Sequence, residues 1–311
     1  MTMLTVEFRA MGSRARALVD SSSDSARRAI AALPAWFEAR EQCLSRFRCD
    51  SALSRLNATG ELAFADDVLW SVVDAALAGA ESTGGIVTPT VLPALEAAGY
   101  DRSFERVNAT DMEPALAIAC PPAAEAVRRT PGARSIHLGP GVRLDLGGVA
   151  KGWCADHAAR ALGRFGASLV DVGGDIAMAG PLPREPWPIA IGDPGPIGSA
   201  KAAEPLALAL LSAGGIATSG RDFRRWTRGG GSAHHIIDPR TGRPADTDVL
   251  AATVIGPSAL AAEIAAKCVL VLGSDAGWRW VEAQPALATL LVKADGTVLR
   301  SPRMERHLWR E

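Results

Sequence analysis

From Ser168 onward the chain sets short apolar runs against glycine turns, and this pattern limits its fold more than any other feature. SLVDVGGDIAMAG gives two short strands around Gly173 and Gly174, and WPIAIGDP, PLALALL and GGIATSG add more. ALATLLVKADGTVLR reads as a hairpin turning at Asp295 and Gly296. The N-terminal LTVEFRAMGS alternates around Leu4, Val6 and Phe8 and reads as a strand ending at Gly12. Helical patterning is interleaved with these strands. Ser21 to Ser25 supply the start of an Ala/Arg-rich helix, broken near Pro34. Asp66 and Asp67 open a second helix, whose apolar face runs through Val68, Leu69, Val72, Val73, Ala76 and Leu77. RLDLGG (Arg143 to Gly148) reads as a strand entering a glycine turn, followed by a helix in VAKGWCADHAARAL. A further helix starts at Pro257 and Ser258 and ends at Gly273. Between Gly99 and Gly139 the patterning is weak, as in an irregular connection or insertion. There is no repeat and no linker, so the expectation is one α/β or α+β unit spanning 1–311, in one or two lobes.

Composition narrows the function. Of 311 residues, 48% are hydrophobic and 22% charged, which supplies a core and excludes disorder over most of the chain. A formal net charge of -1 argues against a broad nucleic-acid footprint. No apolar run reaches the ~18–20 residues of a membrane span, and the N-terminus lacks a basic start followed by an apolar stretch. Neither a membrane anchor nor a secretory signal is therefore expected. Five dispersed cysteines, an odd number with no C-x-x-C pair, disfavour a disulfide framework and a structural zinc site. A reduced, cytoplasmic setting is expected. Positive charge is almost all arginine; the lysines are Lys151, Lys201, Lys267 and Lys293.

Four segments carry residues suited to chemistry. In DLGGVAKG (Asp145 to Gly152), paired glycines precede a helix whose first turn holds Lys151, an arrangement compatible with phosphate. The spacing is neither a P-loop nor G-x-G-x-x-G, and taken alone it favours a tight strand-to-helix turn with an exposed lysine. DVGGD (Asp171 to Asp175) sets two acids around two glycines, to hold a ligand or to cap its own turn. In HHIIDPRTGRP, His234 and His235 on a strand face opposite ways, so one points inward near Asp238 as a catalytic or a buried histidine. Asp238 orients it or caps the turn. Glu263 and Lys267 share a helix face at i and i+4, as an exposed salt bridge does.

In this order the segments resemble the ApbE family, the FAD:protein FMN transferases. The resemblance runs from AMGS (Ala10 to Ser13) to VLVLG (Val269 to Gly273) and includes LSRFRCDSALSRLN, GGIVTPTVLPALEAAGY, DLGGVAKGWCAD, SLVDVGGDIAMAG, IATSGRDF and HHIIDPRTGRP. It implies a bilobal α+β, T-fold-related domain with FAD in the cleft between its lobes. The activity implied is magnesium-assisted cleavage of the FAD pyrophosphate, with FMN passing to a Thr or Ser hydroxyl of an acceptor protein and AMP leaving. Carried onto matching positions, Met11 and Phe47 line the flavin or adenine pocket. Ile86, Val87, Thr88, Asp145 and Lys151 contact FAD, and Ile236 or Ile237 offers backbone or apolar contact. Gly148 lends its carbonyl to the metal. His235 activates the acceptor hydroxyl, with Asp238 as its orienter.

Three departures qualify what the resemblance implies. Thr88 stands where the family commonly has an acid. The family's magnesium site uses an Asp and, four residues later, a Thr; this chain has Glu263 and Lys267. Lys267 thus places a cation where an oxygen ligand is expected. Two other activities use the same pocket: an FAD-binding carrier or partner-binding protein without transfer, and an FAD pyrophosphatase giving FMN and AMP.

Overall fold

The computed structural model describes residues 2–106, 116–195, 204–222, 224–228 and 231–310. Strand β1 (Met3–Ala10) turns back into β2 (Ser13–Asp20), so a second strand follows the one expected to end at Gly12. Met11 and Gly12 connect them with φ of 51° and 66°, the left-handed pair that a two-residue hairpin loop requires. Ser23 accepts from the Ala26 N–H and opens α1 (Asp24–Ala31). The expected break follows, and Pro34 lies in the first turn of α2 (Leu33–Leu44), where its missing N–H costs little. Next come α3 (Ala52–Thr59), β3 (Glu61–Leu62) and α4 (Asp67–Ser82), the last opened by Asp66 as expected.

After α5 (Leu92–Ala97) and α6 (Ala123–Ala126), β4 (Val127–Thr130) and β5 (Ser135–Leu138) join β3 in an antiparallel sheet of order β3-β5-β4. The stretch read as irregular therefore contains two strands. Conversely, Arg143 to Leu146 form no strand. The Asn57 side chain takes the place of a neighbouring strand: its Oδ1 accepts from the Leu144 N–H at 2.7 Å, and its Nδ2 donates to the Leu144 carbonyl at 2.9 Å. A side-chain amide satisfies one residue of backbone, not a ladder.

The remaining elements are α7 (Ala150–Gly163), β6 (Ser168–Val172), β7 (Asp175–Ala179), β8 (Trp187–Gly192), β9 (Pro205–Leu211), β10 (Gly214–Gly220), β11 (Arg225–Arg228) and β12 (Gly231–His234). They continue as β13 (Ile237–Asp238), β14 (Arg243–Pro244), β15 (Val249–Gly256), α8 (Ala259–Glu282), β16 (Ala288–Lys293), β17 (Val298–Arg300) and α9 (Pro302–Glu305). The hairpins expected at Gly173–Gly174 and at Asp295–Gly296 are present. Ser258 caps α8, and Gly273, at φ 83°, breaks it where an end was expected; a second helical segment continues to Glu282.

Two compact units result. The first comprises Met1–Glu38, Lys151–Asp222 and Thr247–Glu311; the second comprises Ala39–Ala150 and Phe223–Asp246. In the first, an antiparallel sheet runs β1-β2-β6-β7-β10-β15-β16-β17. Helix α8 packs on β7, β10, β15 and β16. Leu169, Ile216, Ala251, Ile255 and Leu290 of the sheet pack with Ile189 and Leu211 of the β8–β9 ribbon and with Met304 of α9. Covered on both faces, β15 is buried along its whole length, which explains its unbroken apolar sequence. In the second unit, Leu95, Ala98 and Tyr100 pack with Trp226, Ala233 and Ile237.

Helices α7 and α8 approach closely at Gly152. A Cβ there would lie 2.8 Å from the backbone N and Cα of Leu260. Two carboxylates seal the contact reciprocally. Asp156 of α7 accepts the Ala259 and Leu260 N–H groups at 2.9 and 3.1 Å, and Glu263 of α8 accepts the Gly152 N–H at 3.0 Å. Each carboxylate thus sits at the positive end of the other helix. Gly152→Ala should cost about 1–3 kcal/mol by overpacking this crossing. Gly192→Ala, with open space around the added carbon, should be nearly neutral. Chemical denaturation of both variants checks the difference; equal stability would deny the crossing its role.

Candidate functional site

In the first unit the crossing carries an ionic cluster. Lys151 of α7 pairs with Asp175 at the start of β7, and its Nζ lies 3.6 Å from Oε1 of Glu263. Lys267, one turn beyond Glu263, places its Nζ 3.1 Å from the same oxygen. The carboxylates are the inner layer: the side chains of Asp175 and Glu263 are 2% and 1% exposed, against 18% and 19% for Lys151 and Lys267. Neither lysine is the exposed one the sequence suggests.

The two acids respond differently to this setting. Burial, then repulsion from Glu263, pushes Asp175 up to about 6, against the pull of Lys151. Burial alone would also raise Glu263. The ammoniums of Lys267 and Lys151 and the Gly152 N–H outweigh it and hold that carboxyl below its usual range.

The glycine turn before α7 is largely satisfied internally. The Gly147 N–H donates to Oδ1 of Asp145 at 2.8 Å, and the Val149 and Ala150 N–H groups donate to the Leu146 carbonyl. Gly148 lies in this turn. The backbone cradle that DLGGVAKG suggests is thereby mostly occupied, and Lys151 is left as its phosphate-compatible group. DVGGD divides its roles. Asp171 accepts the Gly174 N–H at 2.7 Å and caps its own turn, while Asp175 binds Lys151.

In the second unit, Asp145 meets a buried arginine. Arg46, with its side chain 6% exposed, places Nε 2.6 Å from Oδ2 of Asp145. Its Nη2 donates to the Tyr100 carbonyl at 2.8 Å. The guanidinium lies 4.1 Å from the Phe47 ring centre and 4.7 Å from that of Tyr100. Tyr100 also packs against Trp226 and, at 6.4 Å between centroids, against His235. Three expected residues, Phe47, Asp145 and His235, are therefore gathered around Arg46 and Tyr100, which sequence reasoning did not single out. Tyr100 is the chain's only tyrosine, a compositional signal that could have marked it. Ile86, Val87 and Thr88 lead into the same region, because the Asp145 N–H donates to the Pro89 carbonyl at 2.8 Å. Thr88 hydrogen-bonds Thr90 at 2.9 Å.

The two histidines sit in different surroundings. His234 is buried, with Nε2 donating to the Ala245 carbonyl at 2.9 Å and Nδ1 accepting the Ile236 N–H at 3.3 Å. It is a core histidine. His235 is half-buried and lies just beyond β12. Asp238 caps its turn: its Oδ1 accepts the Arg240 N–H, and both oxygens accept from the Arg240 guanidinium. Ile236 spends its backbone groups on His234 and Ala245, and Ile237 packs in the apolar cluster with Tyr100 and Trp226. Met11 lies in the first unit, in the β1–β2 loop.

The ApbE family profile matches residues 6–291. The chain belongs to the ApbE family. It is 30% identical over 290 residues to a Treponema pallidum protein named FAD:protein FMN transferase, covering 84% of this chain and 76% of that one. A Salmonella typhimurium protein of the same name is 29% identical over 276 residues, covering 83% and 75%. Among solved structures, the ApbE protein of Thermotoga maritima superposes with a TM-score of 0.85 at 26% identity, covering 99% of this chain and 100% of that one. The fold is thus the α+β fold of ApbE proteins.

The magnesium that ApbE membership implies does not fit the residues present. Glu263 already takes a backbone N–H on one oxygen and faces two ammoniums on the other. An ammonium offers no lone pair and repels a divalent cation. Among the described residues, no three His, Cys, Asp or Glu side chains are grouped to hold a metal.

Removing one cation should expose the cost of the buried acids. Lys151→Met should lower stability by about 3–5 kcal/mol near pH 7, because Asp175 loses its pair. Asp175 is raised from 3.8 in the unfolded chain to about 6 in the folded one. Stability tied to its protonated form is therefore present below 3.8 and lost as pH rises towards 6. The variant deepens that loss, so its deficit should shrink between about pH 7 and about pH 5 as Asp175 takes up a proton. Urea unfolding at both values checks this; an equal deficit would remove Asp175 from the account.

Proposed function

We propose that this chain takes FMN from FAD and attaches it to a Thr or Ser hydroxyl of an acceptor protein, releasing AMP. The observation that carries this reading is the match over residues 6–291 to a family whose relatives are named FAD:protein FMN transferase. The side-chain chemistry of each unit, taken by itself, supports it. The partly exposed Lys151 and Lys267 suit a diphosphate, and the Phe47, Tyr100 and Arg46 group suits a flat heterocycle.

In the reaction the acceptor oxygen bonds to the phosphorus on the FMN side. The bond from that phosphorus to the bridging oxygen breaks, and AMP leaves with the bridging oxygen. The hydroxyl proton needs a base, and we assign that role to His235, whose half-buried ring is the accessible member of the pair. Asp238, fixed by Arg240, holds the turn that follows His235. Ile236 and Ile237 support it from the core. Thr88 and Asp145 contribute polar contacts to FAD, Ile86 and Val87 shape the same loop, and Met11, in its left-handed loop, contributes an apolar contact. The acceptor must present its hydroxyl in an accessible loop. The dispersed, odd set of cysteines favours a reducing compartment for that encounter, cytoplasmic or cytoplasm-facing. Among the described residues, no helix is long and apolar enough to cross a membrane.

Incubation with FAD and a flavin-acceptor protein, read by intact mass and released AMP, should show FMN added to the acceptor with AMP in equal amount. AMP without added mass would identify a pyrophosphatase, and bound FAD without AMP a carrier. His235→Ala should slow single-turnover transfer by roughly 10²–10⁴-fold with little change in FAD affinity. A fall in melting temperature with transfer intact would make His235 a packing residue.

A further inference from the structure

The ionic cluster of the first unit is poorly explained as a stabilising device. Burying four ionised groups costs desolvation that their mutual attraction only partly returns, and apolar residues of similar volume often serve stability as well. Its composition points elsewhere. The chain has four lysines, and two of them meet here, whereas Lys201 lies outside the described residues and Lys293 pairs with Asp248 on another edge. An arginine would match a single carboxylate with its fork. A lysine ammonium is a compact charge with three rotatable donors that can serve more than one anion.

The layering gives that charge a direction. Asp175 and Glu263 are closed off from solvent, whereas the lysine side chains that pair with them retain some exposure. The inner anions are also rigidly placed. Glu263 is tied through Oε2 to the Gly152 N–H, and Gly152 is pressed against the backbone of Leu260. Its Oε1 therefore holds Lys267 at a position set by two packed helices.

We infer that Lys267, seconded by Lys151, supplies from the protein the positive charge that a divalent cation would bring to the FAD pyrophosphate, so that this chain binds FAD without magnesium. The inference rests on the flavin-transfer reading above. It differs from a structural salt bridge in one consequence: the charge at position 267 acts on a phosphate ligand, and restoring an oxygen donor there restores a need for metal.

The test is fluorescence titration of the full chain with FAD, in chelator and in excess magnesium, alongside calorimetry with magnesium alone. Wild type should bind FAD equally in both media and give no magnesium heat. Lys267→Thr should weaken FAD binding in chelator by about tenfold or more, the loss of one charge-assisted hydrogen bond. Lys267→Arg should retain metal-independent binding, which a loss of folding would not allow. Lys267→Thr combined with Glu263→Asp should bind magnesium directly and regain FAD affinity only when it is present. Magnesium-dependent FAD binding by wild type, or unchanged binding by Lys267→Thr in chelator, overturns the inference and leaves the flavin reading standing. No FAD binding by wild type in either medium overturns the flavin reading and the inference with it.

Discussion

The first unit depends on how closely α7 can approach α8. The absence of a side chain at Gly152 brings the α7 backbone against Leu260, and at that distance each helix lends a carboxylate to the other's first turn. Both carboxylates meet unpaired N–H groups and the positive end of a helix dipole, an interaction worth up to about 2 kcal/mol where it is partly buried. The two caps are not equivalent. Asp156 spends both oxygens on α8, whereas Glu263 spends one on α7 and keeps the other for Lys151 and Lys267. One glutamate therefore joins the packing of the fold to the charge of the site.

The second unit solves a related problem with different parts. Its buried charge is the Arg46 guanidinium, neutralised by Asp145, hydrogen-bonded to the Tyr100 carbonyl and covered by two aromatic rings. Arginine suits this position because a planar, weakly hydrated cation can stack and pair at once. Lysine suits the cluster of the first unit because a compact ammonium can share a single oxygen with a neighbour. The two kinds of cation are distributed according to what each must touch.

Much of the secondary structure was legible because its signals are local. Ser23, Asp66 and Ser258 cap the helices they precede, Gly273 breaks the helix it was expected to end, and the glycine turns at 173–174 and 295–296 lie between paired strands. Failures occurred where a partner is distant in sequence. Arg143 to Leu146 look like a strand, but Asn57 satisfies Leu144 instead. DLGGVAKG looks like an open anion cradle, but Asp145, Leu146 and Glu263 accept the Gly147, Val149, Ala150 and Gly152 N–H groups. The site residues follow the same division. Family-like blocks named Phe47, Asp145, Lys151 and His235, whereas Arg46 became visible only once the fold placed it between Phe47 and Tyr100. Asp175 was in view within DVGGD, yet its pairing with a lysine on α7 required the folded sheet.

The Glu263–Lys267 pair shows why spacing alone cannot rank such signals. At i and i+4 on an exposed helix the pair would contribute about 0.3–0.5 kcal/mol and mean little. The same spacing acquires a different meaning when Glu263 is 1% exposed and its second oxygen caps a neighbouring helix. Desolvation then makes any unpaired carboxylate expensive, so the glutamate holds its lysine by necessity rather than by a marginal attraction. Asp175 imposes the same requirement on Lys151 from the sheet side. A protein that needs cations fixed towards solvent can obtain them by burying acids behind them, because the anion that cannot leave its helix contact keeps the cation in place.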